Sequence, residues 1–202
     1  DVYKRQMLKT QSDNTTSATI VPRTTAWLLA SLLATTATAG DWPQILGPQR
    51  NGSASGERLA DTWPESGPRV AWTRPVGSGF SGVAVADGRV FVFDRPGDSA
   101  RVPAVAAATG NQIWQSGFKA TVVPAYVNDN GPRCVPTVHR NRVIVFGAKG
   151  GLHCLDAKTG KTFWSHDTMA LFNSKRPFRG EPPEGYFGKG SSPIVSNGLV
   201  IV

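Results

Sequence analysis

The chain has 202 residues with 22 glycines and 15 prolines, a content that excludes a mainly helical protein and suits a turn-rich β fold. Its formal net charge is +8, but the basic residues are scattered. The densest cluster, Lys175-Arg176 with Arg179, is too sparse for a nucleic-acid footprint, so no nucleic-acid partner is expected.

Residues 1–6 precede Met7 and are set aside as extraneous upstream sequence. Residues 7–39 read as a signal peptide. Lys9 and Arg23 supply positive charge, 26–34 form an apolar core, and Ala37-Thr-Ala39 offers a small-x-small cleavage site before Gly40. The apolar stretch of about 14 residues is too short to span ~30 Å of hydrocarbon. An exported protein, periplasmic or extracellular, is therefore expected, with no integral membrane segment after cleavage.

Residues 40–66 are expected to form an extended lead-in. Asp41-Trp-Pro-Gln-Ile-Leu-Gly-Pro-Gln-Arg-Asn-Gly52 is rich in turn residues. Trp42, Ile45 and Leu46 are expected to pack it onto the domain, with Arg50-Asn51-Gly52 as a turn. Next, Arg69-Val-Ala-Trp-Thr73 looks like a lone outer strand.

From there the chain repeats. Val85-Ala-Asp-Gly-Arg-Val-Phe-Val-Phe93 matches Val138-His-Arg-Asn-Arg-Val-Ile-Val-Phe146, and Thr109-Gly-Asn-Gln-Ile-Trp114 matches Thr159-Gly-Lys-Thr-Phe-Trp164. One copy runs from Ser81 to Lys119 and a second from Gly131 to Asp167. A third opens at Pro193 and is still apolar at Val202. Each copy holds short β-rich runs separated by turn signals. Self-similarity at about 50 residues, with four strands per copy, predicts an all-β fold, a β-propeller of four-stranded antiparallel blades over 67–202. Because a ring needs at least about four blades, the chain is expected to be the N-terminal fragment of a longer protein, monomeric when full length, with two to three blades here.

Cys134 and Cys154 fall on strands two apart, roughly 9.6 Å, so two unpaired thiols are expected instead of a bridge with its ~7 Å limit. His139, His153 and His166 lack paired ligand spacing, so no metal site is assigned. Gly77-Ser-Gly-Phe-Ser-Gly82 and Gly188-Lys-Gly-Ser-Ser192 precede strands, which excludes phosphate loops opening a helix. The connections 120–130 and 171–190 are expected to be loops without a helix interior, and loops of this length on a rigid scaffold are where binding concentrates. Inner strands face the channel of a propeller, which places Ser81, Arg133, Lys189, Ser191 and Ser192 nearest the axis. No catalytic residue is assigned.

The motif Ala157-Lys-Thr-Gly160-x-x-x-Trp164, repeated as Ala107-Ala-Thr-Gly110-x-x-x-Trp114, resembles the quinoprotein-type (PQQ-like) propeller repeat family, over roughly residues 41–202. The resemblance implies that Trp72, Trp114 and Trp164 dock between blades, with Gly110 and Gly160 as their turn partners. An indole can bury a wide face there while its N–H reaches a carbonyl. For function the family implies two readings. One is a non-catalytic exported scaffold that binds protein or cell-envelope partners, like the outer-membrane assembly factor of this repeat type. The other is a PQQ-dependent alcohol or sugar dehydrogenase that holds its quinone with calcium at the ring axis. The scaffold is favoured, because the chain has neither an adjacent cysteine pair nor a carboxylate cluster with calcium-ligand spacing. No cofactor is evident, and PQQ with calcium belongs to the second reading alone, its site lying partly in further blades.

Overall fold

The structure, a computed structural model, describes residues 40–57, 59–120, 131–174, 180 and 187–202. The expected signal peptide, residues 121–130 and much of the 171–190 loop lie outside the described residues.

Ten strands and one helical turn follow in order. The first blade comprises β1 (Ala84–Ala86), β2 (Arg89–Phe91), β3 (Ser99–Ala106) and β4 (Gln112–Lys119). The second comprises β5 (Thr137–His139), β6 (Arg142–Phe146), β7 (Gly151–Asp156) and β8 (Thr162–Asp167), followed by α1 (Thr168–Leu171). The hairpin of β9 (Ile194–Ser196) and β10 (Leu199–Ile201) opens a third. Every ladder is antiparallel, and strands pair in sequence order.

Local chemistry explains the hairpins. Asp87-Gly88 and Asn197-Gly198 both take positive φ at both positions, the geometry whose twist matches paired strands and which short polar residues and glycine tolerate. The blades are buried because their middle strands are apolar on both faces. Val143, Ile144, Val145 and Phe146 of β6 are all buried, as are Val102, Ala104 and Val105 of β3. One apolar cluster unites Phe91, Phe93 and Trp114 of the first blade with Ile144, Cys154 and Leu155 of the second. Two antiparallel sheets, each hiding one face against the next copy, are what radial repetition requires.

Both blades carry a bulge in the same place. Register shifts between Ala104 and Val105 opposite β4, and between Cys154 and Leu155 opposite β8. The extra residue is Ile113 in one and Phe163 in the other, and each is partly exposed. A bulge resets the alternation of a strand. Here it pairs Trp114 with Ala104 and Trp164 with Cys154.

Residues 69–73 form no ladder with any described strand. Two expectations need correction. Leu46 does not pack onto the domain: it sits in a tight turn at φ 60 and is 54 % exposed, with Ile45 also exposed. The 171–190 loop begins inside α1, a single turn capped by Asp167, whose carboxylate accepts from Met169 N at 2.9 Å and Ala170 N at 3.2 Å. Trp42 fastens the lead-in, exchanging two backbone hydrogen bonds with Val85 at 2.8 and 2.9 Å, and Pro43 O accepts from Val138 N at 2.7 Å.

Candidate functional site

The seam between blades is built from the Trp and Gly positions of the repeat. Trp114 closes the first blade, and its Nε1–H donates to Ala157 O at 3.0 Å in the β7–β8 turn of the second. Its indole lies flat against Gly160, where a Cβ would come within 2.5 Å of Cε3. Trp72 repeats this against the first blade. Nε1–H donates to Ala107 O at 2.8 Å, and a Cβ on Gly110 would lie 2.7 Å from Cδ2. Trp164 packs partly buried against the core and beside His166, with ring centroids 5.3 Å apart; among the described residues it meets no glycine turn.

A second contact accompanies each indole. Two residues after Trp114, Ser116 Oγ donates to Gly160 O; two after Trp72, Arg74 Nη1 donates to Gly110 O at 3.4 Å. The sequence reading missed these partners. Their signal, a side-chain donor two places after the tryptophan, is present in both copies. The turn they grip is braced from within, since Asp156 Oδ1 accepts from Lys158 N at 2.9 Å and Thr159 N at 2.8 Å.

The inner strands stand side by side, and two of the five residues assigned to the axis, Ser81 and Ser192, bond across that contact. Ser81 Oγ donates to Cys134 O at 2.6 Å, and Ser192 Oγ accepts from Val135 N at 2.9 Å. Thr137 Oγ1 donates to Pro193 O at 2.5 Å. Thus Ser81 links the first blade to the second, and Ser192 links the third to the second. Arg133 Nη1 donates to Gly131 O at 3.1 Å, and its guanidinium lies 5.5 Å over the Phe80 ring. Lys189 is placed by its backbone N–H, which donates to Ala148 O at 2.8 Å. Ser191 is exposed.

Behind the seam, Asp94 is a buried carboxylate. It accepts from Arg101 Nε at 2.8 Å, Arg101 Nη2 at 3.0 Å and Gly77 N at 2.6 Å. The pair holds the Arg101 guanidinium above its ordinary pKa, through the hydrogen bond first and the nearby charge after burial is set against them. Both cysteines are free and buried. Burial pushes the Cys134 thiol up to about 12, although Phe146 N–H, 3.1 Å from Sγ, opposes the shift. Burial raises Cys154 as well.

A cleft of about 450 Å³, counted to its open mouth, lies between the two blades. Phe118 of β4 stacks on His153 of β7 with centroids 3.9 Å apart, and Ser165 Oγ lies 2.7 Å from His153 Nδ1. Burial lowers the imidazole to about 4, so it is neutral at pH 7. Spacing in the sequence could not reveal this cleft, because its walls come from strand ends of two separate blades.

The sequence profile of the PQQ-type repeat family described as outer membrane protein assembly factor BamB matches residues 53–202. The chain belongs to this family. The quinone-dependent alcohol dehydrogenase subunits of Gluconacetobacter polyoxogenes and Komagataeibacter europaeus are each 36% identical to it over 111 residues. Those matches cover 49% of this chain and only 13% of each relative's length. Among solved structures, the quinohemoprotein alcohol dehydrogenase of Comamonas testosteroni aligns over 81% of this chain and 23% of its own, at 24% identity and a TM-score of 0.48. BamB from Moraxella catarrhalis aligns over 59% and 28%, at 19% identity and a TM-score of 0.37. Relatives of this repeat family thus include both an assembly factor and quinone-dependent dehydrogenases.

Proposed function

We propose that the chain is part of an exported β-propeller scaffold that binds protein or cell-envelope partners and performs no catalysis of its own. The observation that carries this reading is the match of the assembly-factor profile across residues 53–202. The hydroxyls of Ser81 and Ser192 serve as links between blades, as a scaffold would use them. Release into the periplasm or outside the cell, after removal of residues 7–39, belongs to the same reading, as does a monomeric full-length ring.

The second reading, a PQQ-dependent alcohol dehydrogenase, is favoured by the 36% identity to the quinone-dependent subunits. Its quinone and calcium would sit at the axis. Among the described residues, no three His, Cys, Asp or Glu side chains come together where a metal ion could be held. No chemical step is assigned to the described residues.

The test is to titrate the full-length protein with PQQ and calcium while following quinone absorbance, and to assay alcohol-dependent dye reduction. The scaffold reading expects neither saturation nor dye reduction, and expects defined envelope proteins to cross-link to the purified propeller. Saturable PQQ binding with alcohol-dependent turnover would overturn it.

A further inference from the structure

The innermost strand of a propeller blade pairs along one edge with its own blade and turns the other to the ring axis. In the first blade that second edge is taken. Trp42 and Val85 exchange backbone hydrogen bonds at 2.8 and 2.9 Å, so residue 42 stands as an added strand on the edge of β1 that β2 does not use. One residue on, Pro43 O accepts from Val138 N at 2.7 Å, on the corresponding edge of β5. The lead-in thus passes from the axial edge of one blade to that of the next. A strand added to an edge stands about 4.8 Å further in, here towards the axis.

Further contacts hold the strip in this place. Asp41 Oδ1 accepts from Asp87 N at 3.2 Å, at the turn where β1 ends. Gly47, at φ +79, brings the chain back under Trp42, and a Cβ there would lie 2.7 Å from Cζ3 of the indole. The Glu57 carboxylate accepts from Gly40 N, which draws the two ends of residues 40–57 together. Pro43 has no N–H, so the strip does not offer a complete edge to yet another strand. Ser81 and Ser191 stand at the other end of the inner strands, where the chain enters β1 and β9.

We propose that residues 41–47 are a strap that closes the axial channel of the complete ring at the end where β1 turns into β2. The strap occupies the channel-facing edges of the first two blades, on which an extended peptide would otherwise add as a strand. A ligand or partner segment therefore reaches the axis from the opposite end alone, where Ser81 and Ser191 stand. The strap rests on the propeller fold and on the hydrogen bonds of Trp42 and Pro43, so it holds whether the ring is a scaffold or an enzyme.

The experiment uses full-length protein labelled with 15N-valine, with signals assigned from Val85→Ile, Val92→Ile and Val138→Ile. A protease site inserted between Ala54 and Ser55, both exposed, lets the folded protein be cut and the strip dialysed away, its loss being checked by mass. Before the cut, the amides of Val85 and Val138 should exchange slowly and resist broadening by a soluble nitroxide. After it, both should exchange at least about a hundredfold faster and broaden. The Val92 N–H, which donates to Pro103 O at 3.2 Å within the first blade, should change in neither respect. A synthetic peptide of residues 40–54, added back, should restore both amides. Gly47→Val in the uncut protein displaces Trp42 and should speed the same two amides at least about tenfold, which keeps the test decisive where the cut strip stays bound. The proposal is overturned by unchanged exchange of Val85 and Val138 in the stripped protein, or in Gly47→Val where the strip stays bound. It is overturned equally by faster exchange without nitroxide broadening, which would leave the channel closed by something else, and by a parallel change at Val92, which would make the strip a support of the whole blade.

Discussion

Replacing Gly160 with alanine separates the contribution of the blade seam from that of turn geometry. Gly160 has φ +74 and Gly88 has φ +68, so alanine at either position pays a left-handed penalty of about 1–2 kcal/mol. The surroundings differ. A Cβ at Gly88 meets nothing within 4 Å, whereas at Gly160 it would lie 2.5 Å from Trp114 Cε3 and 2.7 Å from Cδ2. The indole must then move, which costs about 1–3 kcal/mol of overpacking. Movement also stretches the Nε1–H bond to Ala157 O, worth about 1 kcal/mol net. Gly160→Ala should therefore destabilise by about 3–6 kcal/mol and Gly88→Ala by about 1–2 kcal/mol. Urea unfolding of the full-length protein, followed by tryptophan fluorescence and by circular dichroism, measures both. A difference under about 0.5 kcal/mol between the variants, at unchanged m, would refute the claim that the Trp–Gly contact stabilises the seam.

Further predictions concern buried groups. Asp94→Ala strands Arg101 and the Gly77 N–H, and should cost about 3 kcal/mol in the same assay; a cost below 1 kcal/mol would mean that water replaces the carboxylate. Because burial lowers the His153 pKa from 6.5 to about 4, the unfolded chain binds the proton first as pH falls. This contribution is fully present above pH 6.5 and is lost as pH drops towards 4, by at most about 3 kcal/mol. Comparing wild type with His153→Phe at pH 7.5 and 4.5 isolates it, and equal pH slopes would exclude the burial effect. Cys134 and Cys154, buried and with raised pKa values, should resist thiol-specific reagents at pH 8 in the native protein. Both should react in guanidinium, with mass spectrometry counting the adducts; native labelling or an oxidised pair would contradict the packing.

The repeat was legible because its signals are local. Asp87-Gly88 and Asn197-Gly198 dictate tight hairpins in their own backbone, and an apolar run such as 143–146 fits only a strand covered on both sides. Residues 69–73 pair with no described strand, yet Trp72 reaches Ala107 and Gly110. Leu46 misled because hydrophobicity was read without the turn that directs it outward. The bulges at Ile113 and Phe163 were invisible, since an extra residue shows only when two strands are laid in register. The polar residues assigned to the axis were legible as inner-strand residues. Their use as links to the next blade depends on how closely copies approach, which no single copy encodes.

The lead-in also sets an order of assembly. Trp42 bonds to Val85 in the first blade, and Pro43 accepts from Val138 in the second. The strip that precedes both blades in the chain is therefore fully held only once the second blade supplies the Val138 N–H donor. Closing that last loop of about 95 residues costs about 4 kcal/mol, against about 3 kcal/mol for the shorter loop joining Trp72 to Ala107. Blade formation and seam docking can thus proceed with the N-terminal strip detached. A cut near residue 43 would therefore free the strip's hold on Val138 and leave the Trp72 and Trp114 seams whole.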